Sequence, residues 1–376
     1  MIYVNINART IRANTRVWRC FPGSGYKFLE RFQKSSVGFL DVPSLSLPDD
    51  AASSELFPRM LAAGVTSERI GDLKHDAVAE TNWKAFKSAR NSKARGRLLR
   101  SISNFYYEAS TNDYVITPEP LSNSHVIVGR IKSNHILYRT FPEIFYQIPV
   151  PVRSIEWLGR IRENKISTAL SDSLRSQHPF TLLGQSLFIE VFSLAHGSFV
   201  FKDRRVATIY NRLDDFLDMD AALIGNVSRL AASACAAIAG DVEGLGKEVL
   251  AALVSSPDIE FTCAQESDIH SSGFTRFISG AMTPLVVACT IAALVALSKE
   301  GDYTNIDRRK SQVEIVNLLP GADPDCTRFV REATKRILDT IDVDTAIQMC
   351  EAAKEADKRA GLEPTAVPIP TPRPLR

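Results

Sequence analysis

The run FISGAMTPLVVACTIAALVAL, residues 277–297, contains no charged residue and is bracketed by Arg276 and Lys299. A helix that is apolar on every side does not rest on a protein surface; the chain encloses it or a bilayer takes it up. The run is long enough to cross a hydrocarbon core. Its Ala, Ser, Thr and Gly content makes it only mildly apolar, and Pro284 lies inside it. Enclosure is the first reading and membrane insertion the second. Enclosure demands a fold large enough to cover a whole helix.

A chain of 376 residues can supply that cover, and it is long for one domain. The expected division is a first domain at 1–180 and a mainly helical second domain at 181–360. The end, LEPTAVPIPTPRPLR, repeats Pro and reads as an extended, disordered tail over 361–376. Cys20, Cys235, Cys263, Cys289, Cys326 and Cys350 are scattered with no C-x-x-C pair. That spacing suits reduced thiols in a cytoplasmic protein and speaks against a zinc site or a disulfide framework. The start, MIYVNINARTIRANTR, lacks the apolar core of a secretory signal. On the second reading of 277–297 the cytoplasmic protein is also associated with the inner membrane.

Short β-branched or aromatic runs at 17–20, 37–41, 113–117 and 126–131 read as strands, and 153–161 as a strand or turn. Helices are expected at 53–63, across about 68–104, and near 167–176. The fold class is therefore α+β, with a small mixed or closed sheet and helices across its rim. Beyond 180, residues 187–194 and 198–209 read as a β-hairpin around His196-Gly197. An Ala-rich helix follows, then short strands at 259–263 and 313–318, and one or two amphipathic helices across 325–360.

WKAFKSARNSKARGRLLR, residues 83–100, holds seven basic residues and no acidic one, although the formal net charge of the chain is only +2. Near-neutrality excludes a wholly basic nucleic-acid coat, so such binding must be local. On one continuous helix, Arg90, Lys93, Arg97 and Arg100 share a sector about 80° wide, with Phe86 inside it and Trp83 at its edge. Leu98 and Ile102 point the other way, as core residues should. Such a sector can hold phosphates by charge while a ring stacks on a base. The competing reading is a solvated helix face with inward-packed rings.

The stretch RVWRCFPGSGYKFLERFQKSSVGFLDV at 16–42 resembles the opening of the PUA-like and EVE-like domains of Mrr-type restriction proteins. ISNFYYEASTNDYVITPEPLSNSHVIVGRI at 102–131 and VRSIEWLGRIRENKIS at 152–167 continue the resemblance. Asn112-Asp113 stands where the group has Gly-Asp, and Asn is the residue that best tolerates the left-handed conformation after Gly. The resemblance implies a small β-barrel with helices that reads nucleic acid, often a modified or flipped base held in an aromatic cage. Trp18 and Trp157 match that group's strand tryptophans. Phe39 and Phe105 join them as candidate cage residues by position only, and strand aromatics of a small barrel are more often core. Lys132 and Asn134, just past an apolar strand, are candidate contacts to the sugar-phosphate chain.

The partner domain of Mrr-type proteins is a metal-dependent nuclease built on an Asp followed by Glu-x-Lys. Neither Asp258 with Glu260 nor Asp307 with Glu314 is followed by the required Lys. No H-x-x-x-H, G-x-S-x-G or Walker-type loop is present, so no catalytic residue, metal or cofactor is assigned. The expected function is a nucleic-acid sensor coupled to a C-terminal response domain, in bacterial phage defence. DNA stands ahead of RNA as partner, with a second copy or a partner defence protein as further contacts. The alternatives are a membrane-associated effector and a divergent restriction-type nuclease.

Overall fold

A computed structural model describes residues 1–73, 77–120, 125–175, 178–213, 215–241, 259–268, 273–299 and 303–369. In it β1 (Ile2–Asn5) runs parallel to β13 (Val313–Val316) and antiparallel to β15 (Val367–Ile369). This pairing sets the domain organisation, because it ties the first residues to the last. One unit is Asn14–Ala195 and the other is Met1–Ala13 with His196–Arg376. The expected division at 180 is corrected accordingly: the first 13 residues leave the N-terminal unit, which runs on to Ala195.

The expected tail is also corrected. β14 (Leu362–Pro364) pairs antiparallel with β10 (Arg204–Asn211), and β15 with β1. β15 is an edge strand, where the N–H that Pro368 lacks costs little. Residues 370–376 lie outside the described residues.

The 14–195 unit carries a six-stranded sheet in the order β4 (Val37–Gly38), β7 (Pro149–Arg162), β6 (His125–Thr140), β5 (Tyr114–Pro118), β3 (Val17–Cys20), β8 (Phe180–Leu182). All neighbours are antiparallel except β3 with β5. The sheet is open, with β4 and β8 at its edges, and no closed barrel is found among the described residues. The edge strands are only two and three residues long, and they do not pair with each other. β3 and β5 are buried along their whole length, Arg19 included, its guanidinium donating to the carbonyls of Ser173 and His178. Gly129 lets β6 approach β7: a Cβ there would lie 2.6 Å from Ile155 and 2.7 Å from Trp157.

Around this sheet stand α1 (Leu29–Ser35), α2 (Leu56–Leu73), α3 (Lys93–Ser103), α4 (Pro142–Phe145), α5 (Thr168–Leu174) and α6 (Phe188–Ala195). Phe28, Phe32, Phe39, Phe105, Phe141, Phe145 and Phe180 form an aromatic core. On α6, Phe192 meets Tyr114 of β5 edge to face, with ring centroids 4.9 Å apart. α6 corrects the strand expected at 187–194. Phe188, Val191 and Phe192 recur at helical spacing, but eight residues are too few for periodicity alone to separate the two readings. The hairpin lies further on, between β9 (Phe199–Phe201) and β10, and its turn holds Lys202 at φ +53°.

In the second unit, β11 (Ala264–Asp268), β12 (Gly273–Ser279), β10, β9 and β2 (Arg9–Ile11) follow one another in a second sheet. Ile259–Phe261 is a 3-10 turn where a strand was expected at 259–263. The helices are α7 (Asp218–Ala239), α8 (Thr283–Ser298), α9 (Ile306–Ser311), α10 (Pro324–Thr340) and α11 (Val343–Ala360). α8 packs against α7, α10 and α11, and every residue of it except Ala296 is buried. The 277–297 run is thus divided: its first residues end β12 and the rest forms a 16-residue core helix. Burying each Val, Leu or Ile is worth roughly 1.5–3 kcal/mol, so the core accounts for the apolarity, and the membrane-inserting reading of this run is corrected. Among the described residues, α7 is the one helix long and apolar enough to cross a membrane by length and composition, and part of it lies in the same core. The protein is α+β.

Candidate nucleic-acid interface

The single helix expected across 68–104 is three pieces. α2 ends at Leu73, Trp83–Phe86 is a 3-10 turn, and α3 begins at Lys93. Ser92 is the break, its hydroxyl accepting the N–H of Arg95 at 3.3 Å as an N-cap. Asn91-Ser92 ahead of the Lys-Ala-Arg run is the signal that could have located this start. Arg90 therefore lies outside α3, and its carbonyl accepts a hydrogen bond from the Arg95 guanidinium at 3.1 Å.

Lys93, Arg97 and Arg100 do stay together. They line one open groove of about 830 Å³ with Gly96 and Leu99 of α3, and with Ala51 and Leu56 across from them. Ile102 is buried and Leu98 packs on the aromatic core, so the inward face of α3 is the expected one. All four of Arg90, Lys93, Arg97 and Arg100 are exposed, and none forms an ion pair among the described residues. The first turn of α3 has no acidic residue. Positive side chains there oppose the helix dipole, at a cost of about 0.3–1 kcal/mol each. Ala51 and Leu56, the opposite wall, carry no sequence signal of their own.

Trp83 sits in a ring of cations. The Arg59 guanidinium lies 4.8 Å from its centroid, with Lys87 Nζ at 5.4 Å and Lys84 Nζ at 5.9 Å. Its indole is thus engaged by the chain itself.

The expected base pocket is not formed by the residues assigned to it. Trp18 is 2% exposed, stacks on Phe180 with centroids 5.0 Å apart, and donates from Nε1 to Asp113 at 2.8 Å. Phe39 and Phe105 are fully buried. Trp157 is half-buried, stacked on Phe32, and donates to the Phe32 carbonyl at 2.6 Å. Three of the four are core, because aromatic area is what holds an open sheet to its helices.

Lys132 and Asn134 do not line the groove. Lys132 Nζ lies 3.7 Å from Glu156, while Asn134 Oδ1 accepts from the Thr111 N–H at 2.7 Å and from Arg153 at 3.1 Å. Asn134 helps to anchor Arg153, whose buried guanidinium also donates to the carbonyls of Phe105, Ala109 and Ser133. Burial lowers the Arg153 pKa to about 10, which leaves it charged at neutral pH.

A second hollow, of about 180 Å³, opens beside the FPGSG loop. Phe21 supplies ring surface with Phe28 and Phe39 buried behind it, Leu98 comes from α3, and Asp41 supplies a carboxylate held by Lys27 at 2.6 Å and Ser67 at 3.2 Å. Gly23 is required there: its φ is +78°, and a Cβ would lie 2.6 Å from the Phe28 ring.

Among known proteins nothing matches this chain: no family model, no curated protein and no solved structure. Among the described residues no group of three His, Cys, Asp or Glu side chains could hold a metal ion. Of the nuclease candidates, Asp258 lies outside the described residues and Glu260 sits exposed in the 3-10 turn.

Proposed function

We propose that the 14–195 unit binds nucleic acid, DNA ahead of RNA, through the α3 groove, and that the second unit carries the response. The observation behind this reading is that Lys93, Arg97 and Arg100 line one groove without carboxylate partners among the described residues. Folding does not explain such a set, since Lys93 opposes the helix dipole in the first turn and the three like charges repel one another. Phosphates would relieve both costs.

The PUA-like or EVE-like character is the finer part of the same proposal. It is supported by the order of elements in 17–38, a Trp-bearing strand, a Gly-containing turn, a helix and a second strand. On this reading a modified or flipped base enters the hollow beside Phe21 and Asp41, which shares α3 with the phosphate groove. Bacterial phage defence is the setting we propose for a sensor of this kind.

The test is a salt titration of oligonucleotide binding by the full chain. Binding should weaken linearly in log–log form and be lost when Lys93, Arg97 and Arg100 become Ala. Absence of binding at low salt, or indifference to the triple variant, would refute the reading.

A further inference from the structure

We infer that the α3 groove takes a single strand in preference to a duplex, an inference that rests on the nucleic-acid reading above. Two features of the groove carry it.

The first is that its walls differ. Lys93, Arg97 and Arg100 make one side cationic, while Ala51, with Leu56 buried behind it, makes the other apolar. A single strand shows a phosphate edge and bare base faces at once, so it can satisfy both walls. A duplex turns phosphates outward and keeps base faces in its stack. Against it, the apolar wall would strip water from phosphates and return nothing.

The second is that the cations form one row. On α3 the three residues fall within a sector of about 60° and span about 10 Å along the axis. That matches two or three phosphates of one strand. Straddling a duplex groove takes cations aimed at two strands, and α3 offers one row. Gly96 lies beside the row, where a Cβ would meet only the Asn91 side chain at 3.7 Å, so the groove floor there is bare backbone.

The experiment uses the full chain with a labelled DNA oligonucleotide of about 16 nucleotides, free or annealed to its complement, in about 0.1 M salt. The single strand should bind on the order of tenfold more tightly, with a log–log salt slope near −2. Ala51→Glu, which places a charge on the apolar wall, should weaken the single strand and leave the melting temperature in place. Duplex binding equal to or tighter than single-strand binding, and lost in the Lys93/Arg97/Arg100 triple Ala variant, would overturn the strand preference and leave the nucleic-acid reading standing. Failure of both probes to bind would overturn both.

Discussion

The indole of Trp18 donates to Oδ2 of Asp113 at 2.8 Å, joining β3 to the turn before β5. The same carboxylate accepts the backbone N–H groups of Arg16 at 2.9 Å and Ser110 at 3.0 Å. Asp113 is 3% exposed, so this is a buried acceptor whose partners decide its cost. Asp113→Asn keeps the shape and loses the charge-assisted bonds, while Trp18→Phe leaves the acid one partner short. Each should destabilise the protein by about 1–3 kcal/mol in denaturant unfolding. Neither should alter the salt slope of oligonucleotide binding, because Trp18 is core and not cage.

Stability and binding should separate on α3. Lys93→Glu replaces a charge that opposes the helix dipole with one that suits it, for a gain of about 0.3–1 kcal/mol. The same change places an anion in the groove and should weaken oligonucleotide binding. Thermal melting and a binding titration on one preparation check both signs. A variant that binds as well as the parent would remove Lys93 from the interface.

Acid should act through Glu119. Its nearly buried carboxylate accepts from Arg160 at 2.7 Å and 2.6 Å, and this bonding holds its pKa below the usual value of 4.5. The folded pKa is depressed, so the pair stabilises the protein above 4.5 and that contribution fades as pH falls through the folded value. Glu119→Gln should lower the melting temperature at neutral pH and lessen its decline below pH 4.5, as a pH series of melts would show.

Asn112 occupies the left-handed region at φ +74°. Asn112→Gly should be neutral or slightly stabilising. Asn112→Val should destabilise by about 1–2 kcal/mol, because a β-branched residue resists that conformation. Denaturant midpoints of the two variants give the comparison.

Removal of residues 362–376 deletes β14 and β15 and exposes the edges of β10 and β1. The truncated chain should melt at a lower temperature and aggregate through those edges. A chain truncated after Ile369 keeps both strands and serves as the control.

Much of the local structure was legible because it follows from short-range chemistry. Residues 17–20 and 114–118 form strands, within one residue of the runs expected at 17–20 and 113–117, and Asn112 takes the conformation its side chain tolerates. The grouping of Lys93, Arg97 and Arg100 follows from helical spacing, and the inward turn of Ile102 from its apolarity. Tertiary structure decided what spacing leaves open. Trp18, Phe39 and Phe105 look alike as core or cage until the packing around them is known. Residues 187–194 fit a strand or a helix equally over eight positions, and contact with the sheet selects the helix. The joining of residues 2–5 to 313–316 and 367–369 leaves no trace in any one segment, because a strand's pattern names the face it buries and not the neighbour it pairs with.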